Sequence, residues 1–207
     1  MKVLFIGPQG SGKGTIGEMI SEYSGIPIIS SGQTLREIPK DHPWYEEIND
    51  QMNKGVLVEQ SRVAQLLREK LQQDKYNNGF IMDGWFRAQK DVDLFDPGFD
   101  KAVYLNISRE ETLKRLTSRR TCSKCGDIYN TITLPPKVKG VCDECEGELY
   151  QRKDDIPEAI NKRLDVFEKE TLPIIEMLRK NGILIEVDAM ETPQEVFEKV
   201  KKVLDLK

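Results

Sequence analysis

Short apolar runs, unbroken by polar residues, alternate along the chain with stretches in which apolar residues recur at helical spacing. The runs are Val3-Leu4-Phe5-Ile6, Phe80-Ile81-Met82, Ala102-Val103-Tyr104-Leu105 and Ile183-Leu184-Ile185. Strands of this kind are covered on both faces, as in a parallel sheet. Ile26-Pro27-Ile28-Ile29 suits an edge or early strand, because proline brings no N–H to a central ladder. Helix signals fall between these runs. Lys13 to Tyr23 is followed by Ser24-Gly25, a glycine stop. Ser108-Arg109-Glu110-Glu111 and Thr192-Pro193-Gln194-Glu195 read as capping boxes, and Asp155-Ile156-Pro157-Glu158 opens a further helix in the same way. That helix is expected to end near Asn181-Gly182, with Pro173 bending or breaking it.

Alternating strands and helices predict an α/β fold with right-handed crossovers. Two segments interrupt the alternation. Residues 31–58 read as two or three short helices with no strand between them, and residues 118–155 hold the cysteines, Pro135-Pro136 and several β-prone residues. Both look like insertions into one core, and the length agrees: 207 residues at ~150 per domain make about 1.4 domains. With 38% hydrophobic and 32% charged residues the chain can build a core and is not disordered. Its 31 basic and 35 acidic residues leave a net charge of −4 and a pI near 5.3. That balance argues against a nucleic-acid partner and against an anionic membrane surface. No uncharged run approaches the ~18 apolar residues of a membrane span. The first apolar run stops at Gly7-Pro8, too short for a secretory signal, so a cytoplasmic location is expected.

Gly7-Pro8-Gln9-Gly10-Ser11-Gly12-Lys13-Gly14-Thr15 lies between the first strand and the first helix. Glycines let the backbone curl until successive N–H groups converge on phosphate oxygens, while the helix N-terminus and Lys13 add positive charge. The Gly-x4-Gly-Lys spacing is met, with the hydroxyl one place late at Thr15. A glycine-rich turn that merely caps a strand is the plainer reading, and the strand–loop–helix order disfavours it. A GTPase would carry Asn-Lys-x-Asp, but Asn161-Lys162 is followed by Arg163-Leu164, and no second carboxylate cluster resembles that of a motor ATPase.

Seven arginines stand where loops leave the expected core: Arg36, Arg87, Arg115, Arg119, Arg120, Arg152 and Arg163. Phosphoryl transfer needs positioned cations more than it needs an acid, a base or a nucleophile on the protein. Taken singly, each reads as a solvated surface charge; seven beside loops and insertions read together as a candidate phosphate-binding set, whose convergence spacing cannot prove. Asp83 ends an apolar strand, where it could hold a water of a phosphate-bound magnesium ion or simply cap the following turn. His42, the only histidine, reads as a surface residue.

Cys122-Ser123-Lys124-Cys125 and Cys142-Asp143-Glu144-Cys145 form two Cys-x2-Cys pairs, with Gly126 and Gly147 after them to permit each turn. The spacing suits four thiolates around one tetrahedral zinc, with no position left open for catalysis. Iron or redox use are the alternatives; a redox centre would need only one pair, and a reducing compartment argues against disulfides. The metal would be a staple for a segment with little core of its own.

With these motifs on one chain, the sequence resembles the adenylate kinases, in particular the bacterial type with a zinc-bearing lid. The phosphate loop matches Gly-x-x-Gly-x-Gly-Lys-Gly-Thr. Ser30-Ser31-Gly32-Gln33-Thr34-Leu35-Arg36 is similar to Ser-Thr-Gly-Asp-x-Leu-Arg, and Phe80-Ile81-Met82-Asp83-Gly84-Trp85-Phe86-Arg87 to Phe-Leu-x-Asp-Gly-Phe-Pro-Arg. Arg119-Arg120, both cysteine pairs, Pro135-Pro136-Lys137, the run Leu149 to Asp155 and Lys162-Arg163-Leu164 follow in family order.

The resemblance implies a P-loop kinase core with a parallel sheet flanked by helices (residues 1–29, 59–117 and 156–207). It adds a helical insertion at 30–58 that binds the nucleoside monophosphate, and a zinc-binding lid at 118–155. The implied reaction is reversible phosphoryl transfer from Mg-ATP to AMP, giving two ADP, by a monomer. By the same resemblance Gly10, Ser11, Gly12, Lys13, Gly14 and Thr15 would hold ATP phosphates, with Arg115 on the adenine and Ile128 and Tyr129 nearby. Arg119, Arg152 and Arg163 would clamp the transferring phosphate, and together with Lys13 and Arg87 they form the implied catalytic set. Ser31, Arg36, Val56, Leu57, Val58, Gly84, Arg87, Asp91, Arg152 and Arg163 would form the AMP site. Asp83 would bind magnesium through water, and Cys122, Cys125, Cys142 and Cys145 would bind zinc.

Departures from the family pattern gather on the acceptor side. Gln33 replaces an aspartate, and Phe86 replaces a proline, removing the easy route to a cis peptide before Arg87. Asp91 stands where the family places a glutamine that reads adenine, and Gln89 lies two residues earlier. An ionised aspartate offers acceptors only, which in principle suits guanine better than adenine. Near the donor adenine, Ala189 replaces a glycine. Two other readings stand beside AMP phosphorylation: a kinase for another nucleoside monophosphate (GMP, CMP or UMP), and a nucleotide-dependent switch or assembly factor whose lid docks a partner.

Overall fold

The computed structural model describes residues 1–53 and 58–206. In chain order the first half runs β1 (Lys2–Ile6), α1 (Lys13–Ser24), β2 (Ile28–Ser30), α2 (Ser31–Arg36), α3 (Tyr45–Asn53), α4 (Gln60–Lys70), β3 (Phe80–Asp83), α5 (Gln89–Leu94) and β4 (Lys101–Asn106). The second half runs α6 (Arg109–Thr117), β5 (Arg119–Cys122), β6 (Ile128–Asn130), β7 (Leu149–Tyr150), α7 (Pro157–Val166), α8 (Leu172–Lys180), β8 (Leu184–Asp188) and α9 (Pro193–Val203). The apolar runs are the strands of one parallel sheet, ordered β2-β3-β1-β4-β8. The Pro27 run is an edge strand, as its missing N–H requires. The last strand begins at Leu184, one residue later than its apolar run, and reaches Asp188; as an edge strand it tolerates exposed Glu186.

Side chains of a strand alternate between the two faces of the sheet. Leu4, Ile6, Met82, Ala102 and Tyr104 pack on one side with Ala64, Leu67, Ile174, Ile175 and Leu178. Val3, Phe5, Ile81, Val103 and Leu105 pack on the other with Ile16, Ile20, Val196, Phe197 and Val200. Helices therefore cover both faces, and the loop after central β1 opens where the chain switches from one side of the sheet to the other. Ligand crevices of open α/β sheets lie at such switch points.

Three helix signals resolve differently from their sequence reading. Thr192 and Glu195 form a full capping box, each accepting the other's backbone N–H at 3.4 and 3.0 Å. Ser108 makes only half of one: its Oγ accepts from Glu111 N–H at 3.1 Å, while the Glu111 carboxylate accepts from Arg115 Nε at 2.7 Å. Asp155 does not cap α7, which starts at Pro157 without a side-chain cap. Pro173 does not break the helix either. Between α7 and α8 the chain makes one π turn, Phe167–Thr171, in which Leu172 N–H reaches the Phe167 carbonyl. The proline directly follows that turn, in the first turn of α8, and the helical run continues through it.

Among the described residues of 31–58 there are two helices, α2 and α3, with no strand between them; Val56 and Leu57 lie outside the described residues. His42 is half-buried and not a bare surface residue: its Nδ1 accepts from Trp44 N–H at 3.1 Å and the two rings meet edge-to-face. The cysteine segment folds as an antiparallel sheet in the order β6-β5-β7. Besides cysteines, its buried cluster contains only Tyr129 and Leu149.

Candidate active site

The loop from Gly7 to Thr15 joins central β1 to α1, and Gly10 and Gly12 take left-handed backbone, φ 82° and 89°. Only glycine does this without strain, and the curl turns the α1 N-terminus toward the crevice. Lys13 Nζ donates to the Gly7 and Pro8 carbonyls at 2.9 and 2.8 Å and to Ser11 Oγ at 3.3 Å. Burial pushes the Lys13 amine down to about 8; Asp83 opposes this, while Arg87 and Arg119 add to it. Asp83 ends β3 opposite Phe5 of β1, and its Oδ1 is buried without a partner.

A cavity of about 1180 Å³ opens above this loop. Arg36, Arg87, Arg115, Arg119, Arg152 and Arg163 line it together with Lys13 and Asp83. Arg120 does not; its Nη1 donates to the carbonyls of Thr117 and Arg119. Spacing alone could not establish that convergence, because the six arginines come from separate elements and loops. Burial lowers the proton affinity of Arg36 and of Arg152, the latter crowded further by Arg119 and Arg36. Cations gathered in a partly dry cavity favour a polyanion.

One anion of the protein holds part of this cluster. Asp155 is fully buried and accepts from Arg119 Nε and Nη2 at 2.8 and 2.7 Å and from Arg163 Nη2 at 3.2 Å. Arg163 also donates to the Asp154 carboxylate at 2.6 Å. Arg152 Nε donates to Thr121 Oγ1 at 3.0 Å, and Arg115 to Glu111 at 2.7 Å and to the Ala189 carbonyl at 2.9 Å. Sequence reading placed Asp155 at a helix start and missed this role. The available signal was the acidic pair Asp154-Asp155 two residues after Arg152, which the helix-start reading absorbed.

The four cysteine sulfurs lie within 4.8 Å of one another, Cys122 to Cys145 at 3.4 Å and Cys125 to Cys142 at 3.5 Å. They are positioned to bind one metal ion, and the all-thiolate set suits a closed tetrahedral site. Gly126 turns the first knuckle with φ 85°, but in the second the left-handed residue is Glu146. Gly147 serves close approach instead, since a Cβ there would sit 2.6 Å from Cys122 Sγ. Tyr129 and Ile128 border the cavity, with the Tyr129 hydroxyl turned to the cluster, 3.5 Å from Cys142 Sγ.

A family model described as adenylate kinase matches residues 5–183, which takes in the loop, Asp83, all six arginines and both cysteine pairs. Curated relatives match nearly end to end. An adenylate kinase of Archaeoglobus fulgidus is 38% identical over 99% of this chain and 98% of its own length. One of Pyrococcus abyssi is 39% identical over 99% and 96%, and one of Thermodesulfovibrio yellowstonii 38% over the whole of both chains. The chain belongs to the adenylate kinase family.

Against the family pattern the departures now have surroundings. No peptide among the described residues is cis, and Phe86 sits in the left-handed region at φ 57°, its buried ring edge-on to Phe99. Gln33 Oε1 accepts from Arg36 Nε and Nη2 at 3.2 and 3.0 Å. Gln89 is exposed, off the cavity, and donates to Asp93; Asp91 borders the cavity. Asp91 is 1% exposed, and burial raises its pKa against the N–H groups of Arg87 and Ala88 that its Oδ2 accepts. Its Oδ1 is buried without a partner. A smaller cavity of about 70 Å³ is lined by Ser31, Val58, Gly84 and Arg87. Ala189 is buried, its N–H donating to the Asn106 carbonyl at 2.9 Å and its carbonyl accepting from Arg115 Nη2 at 2.9 Å.

Proposed function

We propose that the chain transfers a phosphoryl group reversibly from ATP to AMP, giving two ADP. The observation that carries this reading is the convergence of Lys13 and six arginines on one crevice at the carboxyl edge of the sheet. On this reading Lys13 and the loop N–H groups hold the donor phosphates, with Ser11, Gly14 and Thr15 beside them. Arg115, Ile128 and Tyr129 border the donor base. Ser31, Arg36, Val58, Gly84, Arg87 and Asp91 take up the acceptor, and Arg119, Arg152 and Arg163 neutralise the group in flight. Charge spreads over the equatorial oxygens during transfer, so fixed cations stabilise that state more than the ground state. Magnesium accompanying ATP would neutralise phosphate charge, and unpartnered Asp83 Oδ1 fits a water of its shell. Zinc on the four thiolates would fix the antiparallel sheet that carries Arg119. The insertions at 30–58 and 118–155 act as acceptor-binding and lid segments that exclude water.

Mixing ATP with AMP, GMP, CMP or UMP and separating the products tests the assignment. AMP is expected to give the highest kcat/KM. A guanine acceptor is the second reading, favoured by one observation: Asp91 Oδ1 offers a lone pair and no proton when ionised. GMP ahead of AMP would replace the acceptor and keep the reaction; no transfer to any monophosphate would refute both.

A pH dependence follows from Lys13. Below about pH 8 its amine is charged, and above that the free protein loses the proton. The kcat/KM for ATP, which reports free-protein groups, is therefore expected to fall as pH rises through about 8. The value of kcat should hold to higher pH, because bound phosphate favours the charged amine. A kcat/KM profile flat from pH 7 to above pH 9 would exclude Lys13 charge from ATP capture.

A further inference from the structure

Arg87 lies in a short irregular segment between β3 and α5, and nothing in its secondary structure fixes its position. The backbone around it is nevertheless gripped by two side chains from different parts of the fold. The Arg87 carbonyl accepts from Thr171 Oγ1 at 2.7 Å. The N–H at the other end of the same peptide, on Ala88, donates to Asp91 Oδ2 at 3.1 Å, and that oxygen also takes Arg87 N–H at 2.8 Å. Both side chains are buried.

We infer that Thr171 and Asp91 are positioning residues for Arg87, holding the peptide that follows it at both polar ends. The residue before Arg87 shows why such a grip is needed. Phe86 occupies left-handed backbone, which a bulky residue keeps only where its surroundings over-determine it. Once the grip is released, Phe86 can relax toward ordinary backbone and Arg87 moves with it. The guanidinium end is tied more weakly, Nη2 donating to Ser31 Oγ at 3.3 Å.

Thr171 reaches the loop because of the π turn. It is the last residue of that turn, and one residue more or fewer in a helix rotates a side chain by about 100°. The same continuous helical run carries Arg163 on α7. The π turn thus sets two phosphate-facing arginines, Arg163 and Arg87, on one rigid frame. Asp91 on this view works through the loop backbone, whatever base its free Oδ1 meets.

The inference rests on the phosphotransfer reading, and the test separates the two. Thr171→Val keeps shape and removes the donor; Thr171→Ser keeps the donor. Asp91→Ala removes the acceptor; Asp91→Asn keeps one oxygen and loses the charge. Thr171→Val and Asp91→Ala are each expected to lower kcat/KM for AMP about tenfold, with KM for ATP within about twofold of the parent. The Ser and Asn variants should recover to within about threefold. Amide hydrogen exchange at Arg87 and Ala88 should quicken in the Val and Ala variants and stay slow in the Ser and Asn variants. Unchanged exchange and turnover in Thr171→Val and Asp91→Ala would overturn the inference, as would Ser and Asn variants as impaired as Val and Ala. A parent protein without phosphotransfer refutes the functional reading alone, and the exchange rates then decide the grip by themselves.

Discussion

Replacing Lys13 by methionine is expected to lower phosphoryl transfer by about a hundredfold or more, a loss of about 2.7 kcal/mol or more in transition-state stabilisation. Methionine fills similar space without the charge, so the fold should survive. The loop carbonyls of Gly7 and Pro8, which Lys13 Nζ now takes, show that the amine sits where the loop closes on its own centre. A cation removed from beside the transferring phosphate leaves the charge that develops there uncompensated. Arg87→Ala and Arg119→Ala should act in the same way. Arg119→Ala also strips buried Asp155 of its bidentate partner, leaving Arg163 to hold it. Steady-state rates with a melting curve for each variant make the test. Near-normal turnover in all three would mean that the proposed clamp is wrong.

Loss of metal from the cysteine cluster should unfold the antiparallel sheet while the parallel core stays intact. The reason is arithmetic of burial: beyond cysteines, only Tyr129 and Leu149 form the buried apolar cluster there, too little to offset the entropy of ordering that segment. The protein should carry about one zinc per chain, since four thiolates satisfy one tetrahedral ion. Cys142→Ser removes a buried thiol of the cluster that also faces the Tyr129 hydroxyl at 3.5 Å. It should cost the metal, lower the first melting transition and reduce turnover, because Arg119 is in β5 of that sheet. Metal analysis and circular dichroism during melting check this. A protein that holds no metal, with four free thiols and the same melting behaviour after Cys142→Ser, would refute it.

Much of the fold was legible from spacing because burial imposes period and polarity. A strand covered on both faces must be apolar throughout, so the runs at Val3, Phe80 and Ala102 announced the central sheet. The Cys-x2-Cys pairs were legible for a similar reason, since metal geometry demands a fixed ligand spacing. End signals were less dependable. Thr192 caps as expected, but the Glu111 carboxylate goes to Arg115 and that of Asp155 to Arg119 and Arg163. A carboxylate beside a helix start has many possible partners, and sequence names only the local ones.

By itself the sequence determined the α/β core, the phosphate loop on β1, the shared cysteine site and the family, all properties carried by residues close together in the chain. Tertiary structure decided which cations meet. It brought Arg36, Arg87, Arg115, Arg119, Arg152 and Arg163 to one cavity and left Arg120 outside. It also put Asp91 on that cavity and Gln89 off it, and aimed Thr171 at a carbonyl 84 residues away by means of one π turn. Such pairings depend on helix phase and on the path of loops. A single inserted residue rotates a side chain by about a quarter turn, and no local pattern of apolar and polar positions records that rotation.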